Sequence, residues 1–251
     1  MTRTVTLITG ASAGLGAEFA RQCAARGDEL VLVARRRDRL EALAAELGRA
    51  HIIAADLSEP AAPERLVAEV EALGLGIGRL INNAGFGLAG RFAALPLARQ
   101  RQMIDLNVSS LVALCHLALP AMIARGEGGI LNVASTAAFQ AGPGMGVYFA
   151  SKAFVLSFSE ALHQEMRAQN IRVTALCPGP TATEFGAVAG VTGPRFDRFS
   201  ADARTVVAAG LAGLERNKAV VVPGVMNKIT AQSSRAMPRA AMRRIVARLK
   251  I

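Results

Sequence analysis

Thr4–Gly16 reads TVTLITGASAGLG, and this stretch decides the fold. Thr4–Thr9 alternates threonines with aliphatic residues, the composition of a β-strand. Gly10 then permits a tight turn, while Gly14 and Gly16 let backbone and helix approach a ligand closely. The helix that opens here offers unpaired N–H groups and the positive end of its dipole to an anion such as a pyrophosphate. Between the three glycines lie Ser12, Ala13 and Leu15, giving the spacing G-x-x-x-G-x-G rather than the commoner G-x-G-x-x-G. A glycine cluster alone also fits a plain strand–helix connection. Its place between a first strand and a first helix favours a dinucleotide-binding turn.

Outward from this turn, the alternation continues along the chain. Strands are predicted at Thr4–Thr9, Glu29–Ala34, His51–Ala55, Arg79–Ile81, Ile130–Ala134, Arg172–Leu176 and Ala219–Val222. Helical patterns fill Gly16–Arg26, Asp38–Leu47, Pro63–Leu73, Leu97–Arg125, Tyr148–Gln169 and Ala201–Arg216. Strands separated by helices argue for an α/β fold: a doubly wound, Rossmann-like parallel sheet of seven strands with helices on both faces. No linker divides the chain, so residues 1–251 are expected to form one domain that both binds the dinucleotide and carries the chemistry. Three Gly- or Pro-rich loops, Asn82–Pro96, Ala137–Gly146 and Pro178–Ser200, follow strand C-termini. That edge of an open α/β sheet is where ligands bind. Residues 181–200 are longer than a plain connection needs and are expected to form a substrate lid.

Composition narrows the function classes. With no Trp, ten Phe and one Tyr, the core must be aliphatic, as in buried parallel sheets. The N-terminus reads as a strand at once, with no secretory leader. The apolar run Leu111–Ala124 is broken by His116 and Pro120 and is short for a bilayer span. Cys23, Cys115 and Cys177 are odd in number and lack ligand spacing. They read as buried fillers in a reducing compartment, and no metal site is expected. The cytoplasm is the expected location. The formal charge is +10, yet nine cations lie after Glu215, the last acidic residue. The rest of the chain is therefore nearly neutral, and nucleic-acid binding is not expected of the domain.

The predicted second strand, ending LVLVA, runs into Arg35, Arg36 and Arg37. An Asp or Glu here would bond the 2′-hydroxyl of NAD, whereas Arg accommodates the 2′-phosphate of NADP. Arginines at a helix start oppose the helix dipole, so a functional reason is favoured, and NADP(H) is expected over NAD(H). Further on, Tyr148 and Lys152 stand four apart in YFASK, on one helix face. A phenol alone is a poor proton donor at neutral pH; an ammonium one turn away is expected to lower its pKa. Tyr148 could then pass a proton to or from an alkoxide. Ser135 ends the fifth strand thirteen residues earlier, and Asn107 is a polar residue in an apolar stretch that needs a partner. Each alone could be a satisfied polar group.

In this order the motifs resemble those of the classical short-chain dehydrogenases/reductases, from Thr4 to Val222. The resemblance implies that Gly10, Ser12, Ala13, Gly14, Leu15 and Gly16 hold the cofactor, with Arg35 and Arg36 at its ribose phosphate. Asp56 and Leu57 match the pair that contacts adenine. The stretch Asn82–Gly85 matches the NNAG motif supporting the sheet, placing Asn83, Ala84 and Gly85 beside the cofactor. Asn107, Ser135, Tyr148 and Lys152 match the catalytic tetrad, the asparagine holding a relay water and the lysine also bonding the nicotinamide ribose. Pro178 and Gly179 match the turn over the nicotinamide, with Thr181 and Thr183 at the carboxamide and pyrophosphate. Two positions depart: Ala13 stands where some NADP-preferring members are basic, and Thr181 where an aliphatic residue is common.

The resemblance implies NADP(H)-dependent interconversion of a carbonyl and a secondary alcohol, and assembly as a homodimer or homotetramer through the helices of Asn107 and Tyr148. Phe86, Met145 and Phe185 are candidate lining residues and suggest an apolar substrate. An alternative is an NADP(H)-binding sensor or scaffold without turnover, against which the complete tetrad stands. A hydrolase using Ser135 lacks a nucleophile elbow and a placed His–Asp pair. Residues 224–251 form a basic extension. From Pro238 it reads as a helix with an apolar stripe of Met242, Ile245, Val246 and Leu249. That helix could pack on the domain or a neighbouring subunit, touch an anionic membrane as a peripheral contact, or capture an acidic substrate or carrier.

Overall fold

A computed structural model describes residues 3–191 and 200–248. Seven strands form one all-parallel sheet in the order β3-β2-β1-β4-β5-β6-β7. They are β1 (Arg3–Thr9), β2 (Leu30–Ala34), β3 (Ala50–Ala54), β4 (Leu75–Asn82), β5 (Gly128–Val133), β6 (Ile171–Leu176) and β7 (Val220–Val221). The order reverses between β1 and β4, which opens a crevice at their C-terminal ends.

Side chains alternate between the two faces of each strand, so a sheet covered twice needs apolar residues at nearly every position. On β2, Val31 and Val33 enter one core with Leu66, Leu114 and Val155, while Leu30 and Leu32 enter the other with Phe19, Leu40 and Leu211. The first layer is built by α3 (Ala62–Ala72), α5 (Ser110–Arg125) and α6 (Gly146–Met166), and the second by α1 (Gly14–Ala24), α2 (Arg37–Leu47) and α8 (Ala203–Glu215). Four further helices complete the chain: α4 (Leu97–Ile104), α7 (Phe185–Ala189), α9 (Val225–Ala236) and α10 (Arg239–Arg248).

Three features differ from expectation. Strand β4 begins at Leu75, not Arg79; Val5 pairs with Ile77 and Thr6 with Arg79, so Gly78 is an extra residue in the ladder. The glycine-rich run Gly74–Gly78 conceals a strand because glycine has low strand propensity. The helical path Leu97–Arg125 holds a π turn at Asp105–Ser109, between α4 and α5. That path, 29 residues, is long and apolar enough by composition to cross a membrane, against the reading of the run as too short. Helix α9 was not expected at all.

The expected lid falls partly outside the described residues, which omit 192–199; within it, α7 forms and Thr181 bridges Ala201.

Candidate active site

The glycine turn lies at the crevice between β1 and β4. Gly10 and Gly14 adopt φ of +66° and +55°, which favour glycine. Gly16 is required by closeness: a Cβ there would stand 2.1 Å from the Gly10 carbonyl oxygen. Helix α1 begins after Ala13 with no side-chain cap and no acid in its first turn, so its leading N–H groups face outward for an anion. Asn83 pins the turn by donating from Nδ2 to the Thr9 carbonyl (2.9 Å) and the Gly10 carbonyl (3.2 Å). The N–H groups of Asn83 and Ala84 both donate to Thr9 Oγ1. Thr183 roofs the turn, its side chain 3.0 Å from where a Gly14 Cβ would lie.

Beyond β2, Arg36 donates from Nε and Nη2 to Ser12 Oγ at 3.3 and 3.2 Å, and pairs with Glu184 at 3.0 Å. Arg39 also bonds Glu184. Arg35 is exposed and lies 3.8 Å from Asp56. Burial raises the Asp56 pKa, but bonds from Ser58 and the Arg35 charge outweigh it, and the carboxyl sits below its ordinary value. Leu57 is buried beneath. Two guanidinium groups thus flank the end of β2, one fixed on the glycine turn and one exposed beside Asp56.

Asn107 lies within the π turn and is fully locked. Its Oδ1 accepts from the Phe86 N–H (3.1 Å), and Nδ2 donates to the Phe86 carbonyl (3.0 Å) and Ser151 Oγ (3.1 Å). Lys152 Nζ donates to the Val133 carbonyl at 2.7 Å. A Cβ on Gly85 would meet Asn107 Oδ1 at 2.9 Å and Lys152 Nζ at 3.5 Å, so glycine there lets asparagine and lysine converge. Ser135 Oγ accepts from the Ala137 N–H (3.1 Å) and reaches the Pro178 carbonyl at 3.5 Å. The Ser135 hydroxyl also lies close enough to the Tyr148 phenol to lower its pKa. The structure therefore brings all four residues of the expected constellation to one place.

Burial governs the two titrating members. It pushes the Tyr148 phenol up to about 12, which the Ser135 hydroxyl only moderates, and pulls the Lys152 ammonium down to about 8. The expected lowering of the phenol by Lys152 is not what the folded chain shows. Desolvation of a residue 8% exposed sets the direction, and only Ser135 acts against it. At neutral pH Tyr148 is a protonated donor.

An apolar cluster surrounds the phenol. Phe86, Met103, Met145 and Phe149 are buried in it, and the Phe185 ring is 5.3 Å from Tyr148. Met242 and Val246 of α10 join the same cluster. The basic tail thus packs on the domain, as its plainest reading had it. Ile245 is 44% exposed and leaves the expected stripe. Leu249 lies outside the described residues.

The family model described as short chain dehydrogenase matches residues 4–190. The chain belongs to that family. A sulfoacetaldehyde reductase of Chromohalobacter salexigens is 44% identical over 183 residues, covering 71% of this chain and 72% of its own. An NADP-dependent 3-hydroxy acid dehydrogenase of Salmonella typhi is 37% identical over 187 residues, 73% of this chain and 75% of its own. Among solved structures, a short-chain dehydrogenase from Sphingobium yanoikuyae in complex with NADPH superposes with a TM-score of 0.82 at 36% identity, covering 93% of each chain. This short-chain dehydrogenase is accordingly an oxidoreductase of alcohols and carbonyls.

The dehydrogenase's own residues fit a dinucleotide: the uncapped α1, the side-chain-free floor at Gly14 and Gly16, and the flanking arginines. Pro178 and Gly179 lie at the end of β6, and Thr181 Oγ1 donates to the Gly179 carbonyl at 3.0 Å. Thr183 Oγ1 accepts from the Phe185 N–H at 3.3 Å. Several neighbours escaped the sequence reading. Glu184 orders Arg36, Ser151 holds Asn107, and Asn227 of α9 stands 2.5 Å from a Cβ position on Gly179. None carries a local motif; only the fold puts them there.

Proposed function

We propose that this dehydrogenase uses NADP(H) to interconvert a carbonyl and a secondary alcohol on a substrate whose body is apolar, with Tyr148 as acid/base. The observation that carries the reading is the Tyr148 hydroxyl, buried in an apolar cluster, near enough to Ser135 for that hydroxyl to act on its pKa, and one turn from Lys152. Bound NADPH would supply the hydride. Tyr148 Oη gives its proton to the substrate oxygen, and its raised pKa keeps that proton in place until negative charge develops there. Ser135 Oγ orients the same oxygen. Lys152, at about 8, changes charge near neutrality and suits the replacement of the proton. Asn107, held on three bonds, fixes the π turn behind them. In this reading the site works within a single domain, with residues 181–200 closing over the substrate.

Tyr148→Phe should reduce turnover by at least about a hundredfold, with NADPH binding by fluorescence titration near the wild-type level. Retained turnover would remove Tyr148 from this role. A wild-type protein that binds NADPH yet fails to oxidise it whichever carbonyl is supplied would instead fit a sensor.

Cofactor choice is read from Arg35 and Arg36, which can hold a ribose phosphate from two sides. The double variant Arg35→Asp, Arg36→Gln should raise the Michaelis constant for NADPH by roughly tenfold to a hundredfold and leave that for NADH nearly level. An unchanged ratio would overturn the assignment. The buried free cysteines suit a reducing compartment, so the cytoplasm is the proposed location. The outward faces of α5 and α6 are the proposed contact of a homodimer, or of a homotetramer built from it.

A further inference from the structure

We propose that α10 is a wall of the substrate site and that Arg239 and Arg243 on its flank hold an anionic group of the substrate, remote from the reacting carbonyl. The inference rests on the dehydrogenase reading above and names the substrate class: carbonyl compounds with an apolar body and a carboxylate, sulfonate or phosphate end.

Three observations carry it. First, α10 is joined to the chemistry. Met242 and Val246, 9% and 2% exposed, lie in one apolar cluster with Tyr148, Phe86 and Met103. A substrate body that meets Tyr148 along this cluster therefore runs against α10. Second, the helix carries its cations beside that contact. At 100° per residue, Arg239 sits about 60° round from Met242 and Arg243 about 100°, one turn apart on the same flank. Arg99 adds a cation beside the same cluster, its guanidinium 4.8 Å over the Phe86 ring.

Third, these cations have no counter-charge among the described residues. Many of the other arginines are tied to carboxylates, as Arg21 is to Glu46, Arg36 and Arg39 to Glu184 and Arg79 to Asp28, although Arg91, Arg101 and Arg172 are, among the described residues, as unpaired as those of α10. No acid follows Glu215 in the sequence. Among the described residues, Arg239 and Arg243 have no ion pair or side-chain hydrogen bond. Arg239 stands in the first turn of α10, where the dipole disfavours a cation, and an i,i+4 pair of like charges adds repulsion. An anion between them removes both costs.

A lipid surface could offer the same negative charge. A helix that binds lipid does so with its apolar stripe, and α10 has turned Met242 and Val246 inward. A bound small anion is the reading the packing favours.

The test uses the full chain and a matched pair of probes: an aliphatic methyl ketone ending in a carboxylate, and its methyl ester. NADPH oxidation should show kcat/KM higher for the acid by about tenfold. In Arg239→Gln/Arg243→Gln the acid-to-ester ratio should fall towards unity through the KM of the acid, and Arg239→Lys/Arg243→Lys should restore part of it. Equal wild-type rates on acid and ester, or a ratio that the glutamine variant does not change, would overturn the proposal. So would release of the glutamine variant from phosphatidylglycerol vesicles with the ratio intact, which assigns the arginines to a lipid surface. Reduction of an activated diketone but of neither probe overturns the anion anchor alone. Failure to reduce any of the three overturns the dehydrogenase reading itself.

Discussion

Lys152 is 6% exposed and holds its ammonium on one backbone carbonyl, so burial costs it part of its affinity for a proton. An unfolded lysine binds its proton up to 10.5, whereas the folded one releases it at about 8. Between those values the unfolded chain holds more protons, so this residue makes stability rise with pH; below about 8 the full cost is present. Tyr148 works oppositely and later, lowering stability between 10.0 and about 12. Lys152→Met should therefore be favoured over wild type at about pH 7, by at most ~3 kcal/mol less ~1 kcal/mol for the bond to Val133 lost. The margin should shrink as the pH approaches about 10. Thermal melts of both proteins across that range check it, and a margin independent of pH would contradict it. Lys152 was legible because a lysine one turn from a tyrosine suggests chemistry by type and spacing alone. Its shift was not, because spacing says nothing of burial: the notion that the ammonium lowers the phenol's pKa assumed solvated charges.

At the scale of elements, the sheet was legible wherever apolar β-branched residues run together. Strands β1, β2, β3, β5 and β6 stand within a residue or two of their expected ends. Strand β4 was found only in its Arg79–Ile81 portion, since Gly74, Gly76 and Gly78 erase the pattern upstream. The π turn was invisible for another reason. It keeps helical side-chain spacing on both sides and inserts one wider turn, so Leu97–Arg125 reads as one helix. That turn nevertheless carries Asn107. Helix α9 begins after Pro223 and Gly224, and its apolar residues Val225, Met226 and Ile229 are exposed in a largely polar segment, so no core-facing stripe marks it. Its Asn227 reaches the Gly179 turn through tertiary packing alone. The site was thus legible where a local motif states its own geometry, as in the glycine turn. It was illegible where elements distant in the chain supply the second contact, as Glu184 does for Arg36.

The whole molecule leaves apolar surface that its own core does not use. Of the most apolar window in Leu97–Arg125, 39% is buried, and Ile104 and Ile123 are 43% and 38% exposed. On α6, Phe154 is 43% exposed and stacks on Phe158 at 5.9 Å. Length and composition would also allow Leu97–Arg125 to cross a membrane, but its inner face is built into the domain through Leu111, Leu114, Cys115, Ala118 and Met122. Asn107 on the same path is bonded to Phe86 and Ser151, ties that belong to a folded aqueous site. A second copy covering α5 and α6 meets both demands, since it buries the outer face without moving the inner one. Light scattering at micromolar concentration should give at least twice the mass of the chain. Phe154→Glu should move the protein towards monomer, because a carboxylate in an apolar contact costs ~2 kcal/mol or more. Helix α6 carries Tyr148 and Lys152, and the π turn leading into α5 carries Asn107, so the monomer should also lose turnover, and raising the protein concentration should recover both together. A wild-type monomer, or a Phe154→Glu protein of unchanged mass, would place the contact elsewhere.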